Sequence, residues 1–461
     1  MKSQAKVAVT SGVERRANLF AGLFGAFLGL GLLKFCNPPI MEKWTTVPAD
    51  IWEMVFGGAW PSAWAYALLA LLAVLGLSVA RWKVPPQPWL LALPLAWLLW
   101  QCLAAAQGVD SKLAWATVKH FAACVVCFYL GYFALSRSSS LRPFWTILFC
   151  ALFLVFVDGW YQHFGGLEET RRYFYLYELP KIKEEMREVP PELLKRVNST
   201  RVSSTLFYPN ALAGAVLLLL PMALGVIGLA RRMFTAGART FLMVAFGIGG
   251  LGCLFWSGSK GGWLLVLILG LLALLQLRLP KAARTSLVCA VLVLGLGGFF
   301  LRYSGFFQKG ATSVTARFDY WRAAAWITFE NPVFGTGPGT FVIPYTRIKP
   351  PEAESSRLVH NDYLEQASDS GLPGCLFYTA FVAGVLYWTR PRRVEPSPIA
   401  TKGEPAAPEA QRDWLRVWVW LGVLGWALQG FMEFGLYIPA LAWPAFAFLG
   451  WLLGSRTSTV T

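Results

Sequence analysis

Apolar residues in this chain come in long unbroken runs separated by polar connections, with no alternation of the kind a half-buried strand shows. A bilayer core takes about 20 consecutive apolar residues of helix, somewhat fewer at the short end. Twelve runs qualify: 17–35, 61–80, 89–106, 113–135, 143–160, 211–230, 240–256, 262–277, 286–301, 372–388, 417–432 and 438–453. The pattern predicts an all-α integral membrane protein with about twelve transmembrane helices. The first run is long and no Ala-x-Ala cleavage pattern follows it, so it is expected to stay as a membrane helix.

Composition agrees with that class. Of 461 residues 56% are hydrophobic and 14% charged, against about 25% charged in a soluble domain, which excludes an ordinary cytosolic enzyme. Lys and Arg exceed Asp and Glu by 41 to 25, a surplus that in a soluble chain would suggest nucleic acid. Here the cations have a topological reading, and nucleic acid is not an expected partner. They collect in the even-numbered connections: Arg81 and Lys83; Arg137 and Arg142; Arg231, Arg232 and Arg239; Arg278, Lys281 and Arg284; Arg390, Arg392, Arg393 and Lys402. The short odd-numbered connections hold few. By the positive-inside rule both termini are cytoplasmic.

The chain then divides into a tail (1–16), a five-helix membrane region (17–160), a first long outward connection (161–210), a four-helix region (211–301), a second long outward connection (302–371), a three-helix region (372–454) with a Pro- and Ala-rich cytoplasmic linker (391–411), and a tail (455–461). Eight cysteines lie mostly in or beside apolar runs, so they do not read as a disulfide framework. Cys124 and Cys127, though spaced as CxxC, read as packing residues because no second pair accompanies them.

Chemistry concentrates in the outward connections. The stretch 316–326 predicts a helix that Asn331-Pro332 ends, with Arg317 and Trp321 four residues apart on one face. Gly335-Thr336-Gly337-Pro338-Gly339 follows no parallel strand and lacks a Gly-Lys-Ser/Thr ending, so it reads as a tight turn and not a phosphate loop. In His360-Asn361-Asp362-Tyr363-Leu364, Asp362 is the expected helix cap with Glu365 completing a capping box, and Gly371 closes the short helix. That places His360 just ahead of a helix running towards the membrane. Arg201 precedes the sixth run, and Lys260 sits in the very short turn 257–262, a rim position where cations usually have a functional partner. Lys181 to Glu188, with alternating charges, reads as a solvated helix.

Taken together, Arg201-Val202-Ser203 with Tyr208-Pro209-Asn210, the Ser257-to-Gly261 turn, Arg317 with Trp321, the segment 331–341, and His360 to Leu364 followed by Gly371-to-Gly374 resemble the O-antigen ligase and polymerase superfamily of bacterial multispanning glycosyltransferases. The resemblance covers roughly 201–374. It implies a GT-C-like helical fold in the inner membrane with a large, partly helical periplasmic loop, and a reaction in which a glycan leaves an undecaprenyl-diphosphate carrier for an acceptor hydroxyl. That hydroxyl belongs to lipid A core in ligases, to another lipid-linked glycan in polymerases and to a protein Ser or Thr in O-oligosaccharyltransferases. Neither a metal nor another cofactor is implied; membrane lipids are the remaining partner. The short turn departs from the family's usual Ser-Arg-Gly: Lys260 keeps the charge but loses the planar fork that suits phosphate oxygens.

The residues support such chemistry on physical grounds. Preorganised cations stabilise the charge that grows on a departing diphosphate, which Arg201, Lys260 and Arg317 can supply. An imidazole can accept a hydroxyl proton at neutral pH, and His360 is the candidate base. With donor and acceptor on opposite sides, inversion at the anomeric carbon is expected. Trp321, Asn361, Asp362 and Tyr363 are candidate glycan or acceptor contacts. Ligase, polymerase and protein glycosylation all remain open. A transporter or lipid-glycan binding protein without chemistry is the alternative from another class, although no repeated halves are visible.

Overall fold

A computed structural model describes residues 2–138, 140–185, 189, 191–276, 279–308, 312–391 and 408–456. Among the described residues the chain is helical and contains no strand. Its long helices are α1 (Lys2–Lys34), α2 (Ser62–Val79), α3 (Trp89–Ala106), α4 (Ser111–Tyr129), α5 (Arg142–Tyr161), α6 (Pro209–Leu229), α7 (Ala236–Ser257), α8 (Lys260–Gln276), α9 (Lys281–Gln308), α10 (Thr312–Glu330), α11 (Asp362–Thr389), α12 (Pro408–Gln429) and α13 (Pro439–Arg456). Each predicted apolar run falls on one of these, although α1, α11 and α12 begin well before their runs, and α10 is the helix expected from the second long connection. Among the described residues nine helices, α1 to α7, α9 and α11, are long and apolar enough to cross a membrane. α8 is apolar but only 17 residues long. The two others differ in composition: α12 carries Arg412, Asp413 and Arg416 near its start, and α13 intersperses Pro, Gly and Trp among its apolar residues.

The last helix is the core of the bundle. α13 is buried from Pro439 to Ser455, packed against α1, α4, α6, α11 and α12. A helix apolar all round has no solvent face to offer and belongs inside. Small residues allow backbones to approach where side chains would hold them apart: Gly450 lies against the Phe128 carbonyl and Gly131 against that of Ala447. Around this centre α1 packs on α5, α3 on α11, and α6 on both α7 and α12. α9 lies outermost, with Val293, Leu294 and Leu301 exposed.

The connections differ from the sequence expectation in one place. The apolar run ending at 160 does not end its helix: the helical course continues through Glu178, broken at Phe164 and Gly165. Leu167 to Tyr173 is rich in helix-compatible Glu and Arg, so nothing local stops it after that break. The charged segment 181–188 contributes to the helix Leu179–Glu185, while 186–188 lie outside the described residues. Most of the linker 391–411, namely 392–407, lies outside them as well, as does Arg278.

α10 ends at Glu330 as Asn331-Pro332 predicts, and the glycine-rich segment behind it is a docking turn. Its amides are already taken: Thr336 N donates to Ser368 O at 3.0 Å, Gly337 N to Asp369 O at 2.8 Å, and Gly339 N to the Asp369 carboxylate at 2.6 Å. No amide array is left to cradle a phosphate. The turn seats where α11 is interrupted at Ser370 and Gly371, so Gly371 does close a short helix, and the chain resumes as a membrane helix beyond it. Gly371 has φ 70°, and a Cβ there would overlap the Val333 carbonyl. Gly371→Ala is therefore expected to cost at least about 1–3 kcal/mol of backbone strain, read as a lower thermal midpoint of the detergent-solubilised protein; an unchanged midpoint would show that the interruption tolerates a side chain.

Candidate active site

Five separate stretches meet at one end of the bundle. Tyr208 caps α6 with extended backbone, Pro209 opens the helix, and Asn210 follows in its first turn. Gly258, at φ 62°, closes α7 in the left-handed form and turns the chain into α8 at Lys260. Arg317 lies on α10. His360 immediately precedes α11, whose cap is Asn361: its side chain accepts from the amides of Tyr363 and Leu364. The fifth stretch is the short connection between α12 and α13, which holds Glu433.

The carboxylate of Glu433 joins the others. One oxygen accepts from the Arg317 guanidinium and from Asn210 Nδ2, the latter at 2.6 Å. The other lies 3.2 Å from His360 Nδ1. Asn210 in turn accepts from Arg201 Nη2 at 2.6 Å, and Arg201 Nε donates to Ser257 O at 2.6 Å. Arg317 is braced further by Met432 O and Ser313 O, at 3.1 and 3.0 Å. One bonded network thus runs from Arg201 through Asn210 and Glu433 to Arg317 and His360.

The site is secluded but open. Side-chain exposure is 9% for Glu433, 18% for His360 and 19% for Arg317. Burial works against a charge on Glu433, yet its hydrogen bond and charge interaction with His360, together with Arg317, outweigh that cost and hold the carboxyl below its ordinary range. Its interaction energy is therefore present throughout neutral pH and is lost only in acid, as pH falls through that lowered value. The His360 ring stacks at 5.8 Å on Tyr320 and meets the edge of Phe434 at 4.9 Å. Its backbone is left-handed, φ 56°, an uncommon state for a residue other than glycine and one that recurs where tertiary structure imposes a functional geometry.

Lys260 approaches from the rim. Its ammonium lies 3.9 Å from the Phe306 ring centre and 5.3 Å from that of Tyr303. Burial, followed by the positive charges of Arg201, Arg317 and Arg302, brings it down to about 8. Arg302, itself packed on Phe255 and Tyr303, is a cation the sequence reading did not single out. Four cations thus share a neighbourhood whose directly bonded acid is Glu433, an arrangement with positive charge to spare for an anion.

The remaining predicted contacts take inward positions. Asp362 is fully buried and accepts from Leu436 N, while its own amide donates to Gly430 O. It is not the helix cap, because its neighbour Asn361 fills that role. Glu365 reaches Val359 N instead of the cap amide. Asn361 is buried and the half-buried Tyr363 donates to Ala427 O, so these three residues anchor the start of α11. Trp321 shares the Arg317 side of α10 but packs half-buried beside Tyr320 and Ala324. Of the other histidines, His120 is buried against Leu436 O and His163 stacks on Trp256. Cys124 and Cys127 are buried in the core. Among the described residues no three His, Cys, Asp or Glu side chains converge as a metal site would require.

Glu433 and Asn210 are the parts that sequence reading passed over. A signal for Glu433 existed: an acid set between two apolar runs at a membrane rim is costly there without a partner. Asn210 was noticed only as part of Tyr208-Pro209-Asn210.

No curated protein matches the chain. Residues 241–379 match the O-antigen ligase family. That segment contains Lys260, Arg302, Arg317 and His360, and leaves Arg201, Asn210 and Glu433 to flanking sequence. The match covers less than a third of the chain and shows that this segment, which carries Lys260, Arg317 and His360, is similar to the O-antigen ligase family.

Proposed function

We propose that the protein is an O-antigen ligase-like glycosyltransferase that moves a glycan en bloc from undecaprenyl diphosphate to an acceptor hydroxyl of the lipid A core type. In this reading twelve helices span the bacterial inner membrane, both termini are cytoplasmic and the site faces the periplasm. The observation that supports it is the Glu433 carboxylate bonded at once to His360 and Arg317, with Arg201 tied in through Asn210.

Each residue then has a defined task. Glu433 accepts the Nδ1 proton of His360, so Nε2 carries the free lone pair and serves as base. The acceptor hydroxyl loses its proton to Nε2 while its oxygen bonds to the anomeric carbon. The bond from that carbon to the diphosphate oxygen breaks, and the diphosphate leaves with the electron pair. Arg201, Arg317 and Lys260 face the negative charge that grows on it. Attack opposite the leaving group inverts the anomeric centre. No step calls for a metal.

The test is made in the native host, comparing undecaprenyl-linked and surface glycans in wild type, a deletion strain and a His360→Ala strain. Long polymers that accumulate on the carrier and vanish from the surface in both mutants are expected. Accumulation of single repeat units would make the protein a polymerase, and unchanged glycans would refute both readings.

Lys260 adds a pH signature. Free, it loses its proton near pH 8, and a bound diphosphate favours the charged form. Donor affinity is expected to fall several-fold between pH 7 and 9, and Lys260→Arg is expected to remove that dependence because arginine stays charged. Titration of purified protein with undecaprenyl diphosphate measures this; an identical pH dependence in the variant would show that Lys260 does not meet the donor.

A further inference from the structure

A second feature lies in a different part of the bundle and owes nothing to the glycosyltransferase reading. Between α2, α3 and the end of α4 is a cavity of about 590 Å³, within the range of about 300–1,000 Å³ that ligand pockets occupy. Leu91, Ala92, Leu95, Tyr129, Phe133 and Trp82 are among the side chains that line it. The three helices are membrane-crossing by length and composition, so its sides lie at bilayer depth.

One end of the cavity is built from the connection 81–83. Arg81 N donates to Phe133 O at 3.0 Å and Tyr132 OH donates to Lys83 O at 2.8 Å, which holds this short segment against the end of α4. The Trp82 ring then lies 4.7 Å from that of Phe133. Pinned in this way, the side chains of Arg81 and Lys83 are exposed on either side of a tryptophan that itself faces the cavity. Arg137 follows the same end of α4 and lies within the field of Arg81. Residues 81–88 and 135–142 contain no acid. An apolar cleft at bilayer depth whose mouth carries the exposed cations Arg81 and Lys83 is complementary to an anionic lipid with its acyl chain inside and its phosphate at the rim.

We infer that this cavity is a specific site for an anionic glycerophospholipid, with an acyl chain between α3 and α4 and the headgroup held by Arg81 and Lys83. Arg81, Lys83 and Ala92 are all exposed, so substitutions there leave the packed core alone. The whole protein, delipidated in detergent, is titrated with phosphatidylglycerol or phosphatidylcholine and followed by native mass spectrometry. Phosphatidylglycerol is expected to bind preferentially, and the double variant Arg81→Gln/Lys83→Gln to weaken it about tenfold. Phosphatidylglycerol with a photoreactive acyl chain is expected to label residues 88–95 and 129–134, and Ala92→Phe, which fills the cleft, to remove that label. Equal binding of the two lipids, an unaltered affinity in the double variant, or labels spread over the exposed faces of α7 and α9 would each mean that only bulk lipid occupies the surface, and would overturn the assignment.

Discussion

Arg317→Ala is expected to abolish glycan transfer while the protein remains inserted in the membrane. Arg317 is the cation with the most complete bracing: Glu433, Met432 O and Ser313 O fix its guanidinium on three sides. Loss of one preorganised donor aimed at developing charge typically costs about 10²–10³ in rate, and here the partner Glu433 also loses a neutralising charge. Arg317→Lys is expected to recover little, because an ammonium on a flexible stem cannot reproduce a planar fork that meets a carboxylate and two carbonyls. The measurement is transfer by purified variants from a lipid-linked donor, with size-exclusion chromatography as the control for folding. Normal turnover by well-folded Arg317→Ala would remove this residue from the reaction.

Glu433→Gln carries the second large expected effect. The amide keeps the shape and can still accept from Asn210 or Arg317, but it no longer stabilises the imidazolium that forms when His360 takes a proton. Loss of general-base assistance is worth about 10²–10⁴ in rate, and Glu433→Gln should approach that range. Its signature distinguishes it from a packing defect: Glu433→Asp keeps the charge and should restore part of the rate although it is shorter, whereas Glu433→Gln keeps the size and should not. A Glu433→Gln enzyme with wild-type rate would confine Glu433 to structural support. Full removal, as in Glu433→Ala, is expected to lower stability too, since it strips a buried, hydrogen-bonded partner from Arg317, by about 3–5 kcal/mol at the upper end.

The two residues illustrate different kinds of legibility. Arg317 was readable because a local helix, bounded by Asn331-Pro332, put a cation in a long connection between apolar runs. His360 and Arg201 were readable for similar reasons, each lying directly ahead of a helix that enters the bundle. Glu433 sits in the nine-residue connection 430–438, which the sequence reading did not single out, and its importance comes from partners that are 73, 116 and 223 residues away along the chain. Asp362 shows the reverse error. Its place beside His360 suggested a surface role, but the cap belongs to Asn361, and that one-residue shift turns the Asp362 carboxylate inward to the Leu436 amide.

What the sequence determined by itself was the class, a helical chain with many apolar helices of membrane length, and the segments that supply most of the clustered charged residues. Long apolar helices are dictated locally, since the bilayer imposes both the length and the composition of whatever crosses it. Only the tertiary structure decided that α13, whose mixture of Pro, Gly and Trp is the least typical of a lipid-facing span, forms the buried centre. It also decided that Glu433 and Asn210 gather cations from separate stretches into one network, and that Arg302 joins Lys260 at the rim. Convergence of this kind depends on which helix faces meet. That is settled by close backbone contacts such as Gly450 on Phe128 and Gly131 on Ala447, and such contacts leave no periodic mark in the chain.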